Sequence, residues 1–279
     1  MIIREIDERL EEGKSLKAIA QSYAEIANLK IKAIRSQVER NRLFFQEISK
    51  IYGLVRRLAA KKGLIIKKPK KLVTVLITSN YHFYGTINFD LIQFFIKNTQ
   101  KLETDRIIIG GTALEYFKAT NIFMDQQTVL LKQDIPDNNE LSMLTELIKQ
   151  YAQVLIVHST FKSLLIQESV VTDITPTIKD MDTDNLDIRY IFEPELPKII
   201  SFFDSSILTL LLEETFLESA LSRMASRFIS MDEAQSEANK FIKQYLKLKA
   251  LAKRSLANRR ILENYASLIA AKKKAVNYG

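Results

Sequence analysis

Both ends of this chain are almost free of helix breakers. The five prolines all fall between Pro69 and Pro197, and no glycine stands between Gly111 and the terminal Gly279. Inside a helix, proline costs about 3 kcal/mol and glycine about 1 kcal/mol relative to alanine. Stretches this long without them predict a long helix at each end. Gly13 and Gly53 are local weak points in the first helix, not stops.

Apolar residues step by three and four along both ends. In the first they are Leu16, Ile19, Tyr23, Ile26, Ile31, Ile34 and Val38, then Phe44, Ile48, Ile51, Leu54 and Leu58. In the last they are Leu221, Met224, Phe228, Met231, Ala238, Phe241, Tyr245, Leu248 and Ala252. This spacing predicts a narrow apolar seam of the coiled-coil kind. Helices of roughly 55 to 70 residues would extend about 80 to 105 Å. Each seam needs a partner, so one antiparallel coiled coil of the two ends is expected. The competing reading, a bundle of shorter helices, needs turn residues that these segments lack.

The middle has a different texture. Strand-like runs occupy 72–78, 105–110, 127–131 and 151–159, alternating with helix-like stretches at 88–100, 111–119 and 138–150. That alternation predicts a Rossmann-like α/β domain with a mainly parallel sheet. The runs at 162–171 and 187–194 are further strand candidates. The basic "KKPKK" (67–71) reads as the hinge in and "EPELPK" (193–198) as the hinge out. The expected plan is a coiled-coil helix over 1–66, an α/β domain over 72–198 and a second coiled-coil helix over 199–278.

Chemistry is hard to find. There is no cysteine, which excludes disulfides, thiol catalysis and thiolate metal sites, and two distant histidines make a poor metal site. No G-x-x-x-x-G-K-[ST], G-x-G-x-x-G or G-x-S-x-G occurs. Gly110-Gly111 after a strand reads as a tight turn. His158 and Ser159 are adjacent on a strand and point to opposite faces, so they cannot act as base and nucleophile. Glu11/Glu12 and Glu213/Glu214 read as solvated helix faces. "TVLITSNYHFYGTIN" (74–88) is a strand followed by a polar turn, the place where α/β proteins often bind substrates. Its His82 shows no acidic neighbour in sequence. No catalytic constellation is visible and no cofactor is expected.

The N-terminal "MIIREIDERLEEGK" is too charged for a signal peptide, and no window approaches the roughly 18 apolar residues of a membrane span. A cytoplasmic protein is expected. Formal charge is +10 over residues 1–71, −8 over 72–205 and +6 over 206–279. Basic ends around an acidic middle suit an acidic protein partner, an anionic membrane or nucleic acid.

The plan and several motifs together resemble the gamma subunit family of F-type ATP synthases, the central rotor stalk, over essentially the whole chain. "RLEEGKSLKAIAQSYAEIANLK" keeps Arg9, Leu10, Ile19, Ile26, Ala27 and Lys30 of the family's first helix, with Ala20 and Ser22-Tyr23 as departures. "SNYHFYGTIN" keeps Ser79, Gly85 and Asn88 of S-D-R-G-L-C-G-x-x-N. "IIGGTALEYF" is similar to I-G-x-K-G, with Thr112 at the lysine. "HSTFKSLLIQ" keeps Phe161, Ser163 and Gln167, and "IFEP" is similar to Y-E-P. "RFISMDEAQSEA" keeps Arg227, Met231, Ala234 and Ala238. The family's Arg-Gln contact pair falls at Lys253-Arg254 or Arg254-Ser255, and its following I-T-x-E gives way to Ala257-Asn258-Arg259-Arg260.

The resemblance implies a non-catalytic shaft turning inside a ring of alpha and beta subunits, coupling ATP turnover to rotation. It places ring contacts at Ile19, Tyr23, Lys30, Lys253, Arg254 and Ser255. The turn with Ser79, His82, Gly85 and Asn88 becomes a docking surface of a foot that meets an epsilon-like subunit and a membrane ring. The complex would lie on the inner face of the cell membrane, with no nucleotide held by this chain. A second reading makes it the stalk of a specialised F-type-like motor that hydrolyses ATP for ion pumping or gliding. A basic coiled coil that binds nucleic acid predicts exposed aromatics among Arg and Lys, whereas Phe44, Phe228 and Tyr245 fall on or beside the seams. An α/β enzyme acting through the 79–88 loop lacks supporting residues.

Overall fold

The computed structural model describes residues 3–61, 71–122, 126–175, 193 and 195–276. The elements run α1 (Ile3–Lys61), β1 (Leu72–Ile77), α2 (Ile87–Thr99), β2 (Asp105–Ile109), α3 (Gly111–Thr120) and β3 (Gln126–Val129). Then come α4 (Asn138–Ile148), β4 (Gln153–Phe161), β5 (Gln167–Asp173) and α5 (Leu196–Val276). Each end is a single helix, of 59 and 81 residues. The bundle reading therefore fails.

α5 starts at Leu196, inside the expected exit hinge, because Pro197 in a first turn forfeits no helical hydrogen bond. Of the 162–171 run only Gln167 onward is strand; Ser163 and Ile166 exchange backbone hydrogen bonds that close the β4–β5 hairpin. The expected strand at 187–194 and the hinge at 67–70 lie outside the described residues, apart from Glu193.

Two compact units divide the described chain. One comprises the residues up to Glu25 and those from Met231 onward; the other is Ile26–Ser230. In the larger unit the sheet order is β3-β2-β1-β4-β5, with β5 alone antiparallel. Alternate strand residues serve opposite faces. Val73, Val75 and Ile77 pack with α4 and with Leu208, Leu212 and Phe216 of α5. Leu76, Ile108 and Val157 pack against α2 and α3. Asp137 caps α4 reciprocally with Glu140, a capping box that fixes where the helix begins.

Within that unit α1 runs antiparallel to α5. Arg42 meets Glu214 and Glu218, the Tyr52 hydroxyl donates to Asp204, and Val55 and Ala59 pack on Leu196 and Ile200. Glu214 is therefore an ion-pair partner and not a solvated residue. Its neighbour Glu213 is half-buried too, with its carboxyl pKa pushed up by burial. In the smaller unit Asp7 pairs with Lys249 at 2.6 Å, and Gly13 lies against Phe241. This pairing is antiparallel as well.

The buried seams match the expected ones at Ile31, Ile34 and Val38 on α1 and at Leu221, Met224 and Ala238 on α5, and differ elsewhere. On α1, Leu16, Ile19, Tyr23 and Ile26 are exposed, as are Phe44 and Ile51. Ile6, Leu10, Gly13, Ala20 and Ala24 are buried instead in the smaller unit, and in the larger Ala27 is buried beside the expected Ile31, Ile34 and Val38. The small residues win where large ones face them: a Cβ on Gly13 would lie 2.8 Å from Cδ1 of Phe241, whose ring stacks on Tyr245. On α5, Leu248 is exposed and its neighbour Lys249, held by Asp7, is the more buried of the two.

Candidate functional site

The turn after β1 occupies the position where a Rossmann-like domain would take a ligand, and its own side chains fill it. The Asn80 side chain accepts from the Gly111 N–H at the start of α3 (2.9 Å) and donates to the Leu131 carbonyl (2.7 Å). The Thr112 N–H goes to the Ser79 carbonyl. The Ser79 hydroxyl donates to the Tyr81 carbonyl and accepts from Asn88 Nδ2 at 2.8 Å. Two of the backbone donors that could bind a phosphate at this helix N-terminus, those of Gly111 and Thr112, are thus already used.

Of the predicted turn residues, Ser79 and Asn88 are therefore internal braces and present no docking surface. Gly85, at φ +60°, occupies a left-handed conformation that suits glycine. His82 is exposed and, contrary to expectation, has an acidic neighbour: its Nε2 lies 3.9 Å from Glu115 on α3. Both side chains are largely in solvent. The exposed residues of the turn are Tyr81, His82 and Phe83, with Gly85 and Thr86 after the buried Tyr84.

Tyr84 turns inward and begins a polar cluster that sequence reasoning did not find. Its hydroxyl donates to Asp134 Oδ2 at 2.5 Å, and the Asn80 N–H donates to Asp134 Oδ1 at 2.8 Å. Burial pushes the Tyr84 phenol pKa well up, and the bond to Asp134 adds to the shift. From α5, Arg223 brings Nε to 3.9 Å from the Asp134 carboxylate and donates from Nη2 to the Asp134 carbonyl and from Nη1 to Ser219. Arg223 is only 1% exposed, and burial pulls its guanidinium pKa down against the opposing pull of Asp134. One turn on, the Arg227 guanidinium lies 3.9 Å over the Tyr84 ring and donates to the His82 and Phe83 carbonyls. Ser226 donates to the Tyr84 carbonyl.

His158 and Ser159 go to separate partners, as their alternation requires. The His158 ring contacts Thr172 through Nε2, and the Ser159 hydroxyl meets Ser219. Burial lowers the His158 pKa, partly countered by Glu218. Among the described residues no group of three or more His, Asp or Glu could hold a metal ion.

The predicted ring contacts all lie on helix surfaces. Ile19 and Tyr23 are exposed on α1 in the smaller unit, and Lys30 is exposed on α1 in the larger. Lys253, Arg254 and Ser255 are exposed on α5. In the smaller unit they are not brought together with Ile19 and Tyr23. Lys253–Ser255 follow Lys249, the partner of Asp7, while Ile19 is about three turns further along α1. All of residues 253–269 are exposed, among them Leu256, Ile261, Leu262, Tyr265, Leu268 and Ile269. Among the described helices none is long and apolar enough to cross a membrane.

The fold is an α/β domain on paired long helices, with Asn80 and Ser79 occupying the turn where such a domain would take a ligand. The ATP synthase family model matches residues 2–255. The ATP synthase gamma chain of Pelotomaculum thermopropionicum is 22% identical, covering 86% of this chain and 88% of the relative. That of Mycoplasma capricolum is 23% identical over 85% and 86%. The fold is shared with the rotor of the Euglena gracilis mitochondrial ATP synthase, at TM-score 0.59 and 15% identity over 91% of this chain and 98% of that one. It is shared also with the central stalk of the Tetrahymena thermophila enzyme, at TM-score 0.58 and 17% identity over 77% and 99%. The chain belongs to the gamma-chain family of the ATP synthases, non-catalytic central-stalk subunits of the F-type rotary machine.

Proposed function

We propose that this chain turns inside a ring of alpha and beta subunits through contacts at Ile19, Tyr23, Lys30, Lys253, Arg254 and Ser255. The observation that carries this is the exposure of α5 over residues 253–269 with six large apolar side chains uncovered. A lone helix of that length is marginal in water, and uncovered apolar surface of this extent marks an interaction site. A surrounding sleeve of partner subunits would supply the missing burial. The basic balance of both ends suits an acidic loop on the ring, because ion pairs steer and orient an interface. Rotation follows if the ring's conformations favour different shaft angles, which needs only differential interaction energy and no covalent step on this chain.

In this reading the α/β domain is the foot. Its exposed Tyr81, His82 and Phe83 are the surface offered to an epsilon-like subunit and a membrane ring, and the complex lies on the cytoplasmic face of the cell membrane. A specialised ATP-hydrolysing motor for ion pumping or gliding is favoured by two departures: Lys253-Arg254-Ser255 in place of the family's pair, and the rewritten 79–88 turn. Purification of the tagged full chain from its native membranes tests both. Recovery with three alpha-like and three beta-like subunits is expected, and the further subunits recovered separate the two motors. Recovery without any alpha- or beta-like subunit would overturn the assignment.

A further inference from the structure

We infer that Arg223, Asp134 and Tyr84 form the joint through which α5 hands torque to the α/β domain. The inference rests on the central-stalk reading and goes beyond it by assigning the coupling to named side chains. α5 meets the sheet in two ways. Up to Phe216 the contact is apolar, through Leu208, Leu212 and Phe216. From Ser219 to Arg227 apolar packing continues, with Leu221 and Met224 in one cluster with Tyr84 and Ile87, and polar bonds are added to it through Ser219, Ser222, Arg223, Ser226 and Arg227.

The two kinds of contact respond differently to a sideways load. Apolar burial is non-directional, so a helix can slide or roll over such a surface while losing little. Hydrogen bonds hold a distance and an angle, and those to charged groups are roughly twice as strong as neutral ones. At the polar end, Asp134 takes bonds from Tyr84 and Asn80 on the loop after β1 while facing Arg223 from α5. Arg227 and Ser226 grip the same loop through the carbonyls of residues 82–84. Phe83 there has φ 66°, a left-handed conformation uncommon for a non-glycine residue. A turn held in that state needs surroundings that over-determine it.

Thermodynamic stability is a poor reason for such a cluster. A buried ion pair is often matched or exceeded in stability by apolar residues of the same volume. Here the Arg223 Nε faces the Asp134 carboxylate at 3.9 Å and has no hydrogen-bond partner among the described residues. What it supplies is a fixed angle between α5 and the two loops that continue β1 and β3. These residues are positioning residues.

The test uses the reconstituted complex with a bead on the α/β domain, attached through Lys118→Cys in this cysteine-free chain. Tyr84→Phe removes one hydrogen bond and keeps the ring; Asp134→Asn removes the charge; Arg223→Lys keeps the charge but loses the fork. The expected result is an unchanged ATPase rate with a severalfold loss of stall torque at the foot in Asp134→Asn. Tyr84→Phe should lose less, and Arg223→Lys should lie between wild type and Asp134→Asn. A purely structural role would lower Tm without separating torque from hydrolysis. If Asp134→Asn fails to fold, Tyr84→Phe carries the same comparison. Full torque in folded variants overturns the joint and leaves the rotor reading intact. A wild-type chain that neither assembles nor rotates with the ring overturns the rotor reading itself.

Discussion

Gly13 and Phe241 lie so close that a Cβ built on Gly13 would be 2.8 Å from the Phe241 ring. A glycine that looked like a weak point in a helix is a place where two helices approach too closely for a larger side chain. Gly13→Val should therefore destabilise the pairing of α1 and α5 in this unit, by about 1–3 kcal/mol as for overpacked cores. Chemical denaturation measures the loss. Combining it with Phe241→Ala should recover much of it, because the second change removes the obstructing ring. Additive losses would show that the two residues do not compete for the same space.

His158 gives the fold a pH dependence with a definite sign. Its pKa is lowered in the folded protein by burial, from an unfolded value near 6.5. The unfolded chain then binds more protons than the folded one below that value, so stability is full above about pH 6.5 and falls as pH drops. A thermal melt between pH 8 and pH 5 should show a declining Tm. His158→Gln should flatten the part of the decline that begins near pH 6.5. An equal slope in both proteins would place the proton uptake elsewhere.

Much of this was legible from residue order, and the failures share a cause. The buried runs at 72–78 and 105–110 became β1 and β2 because β-branched residues enclosed on both faces have no competing conformation. The long helices followed from missing breakers. The α1 seam followed from hydrophobicity at Ile31, Ile34 and Val38 but not over residues 13–26, because two stripes of the same period run along that part of the helix. Leu16, Ile19 and Tyr23 form the more apolar stripe, yet Gly13, Ala20 and Ala24 are buried, and at Gly13 the close approach of Phe241 requires the small residue. Which stripe faces inward depends on a partner more than two hundred residues away. The Tyr84–Asp134–Arg223 cluster was hidden for the same reason, its members coming from two loops and a helix. The one local cue was an arginine at residue 223, next to the seam residue Met224.

Gly85 tests how tightly the turn is held against α5. At φ +60° any L side chain is strained, by roughly 1–2 kcal/mol, and a Cβ would lie 2.8 Å from the Ser230 hydroxyl and 3.0 Å from that of Ser226. Gly85→Ala should lower stability by about that strain or more. Adding Ser230→Ala relieves the steric part and leaves the backbone part. Wild-type stability in Gly85→Ala would mean the turn relaxes freely, which the bonds from Ser226 and Arg227 to residues 82–84 argue against.

The purified chain should hydrolyse no ATP, because its helix N-terminus at Gly111 is capped by Asn80 and the chemistry of the family belongs to other subunits. Turnover that persists through further purification would contradict that expectation. Arg254 is exposed, so Arg254→Ala should leave folding stability within about 0.5 kcal/mol of wild type, as for ordinary surface changes. In the assembled ring the same change should reduce torque per ATP, because the lost guanidinium removes a charge-assisted contact of a kind worth about 1.5–3 kcal/mol. Neighbouring Ser255→Ala serves as the control for register. If Ser255→Ala reduces torque and Arg254→Ala does not, the contact lies one residue further along α5. If neither does, the ring grips this helix through its apolar residues beyond 255.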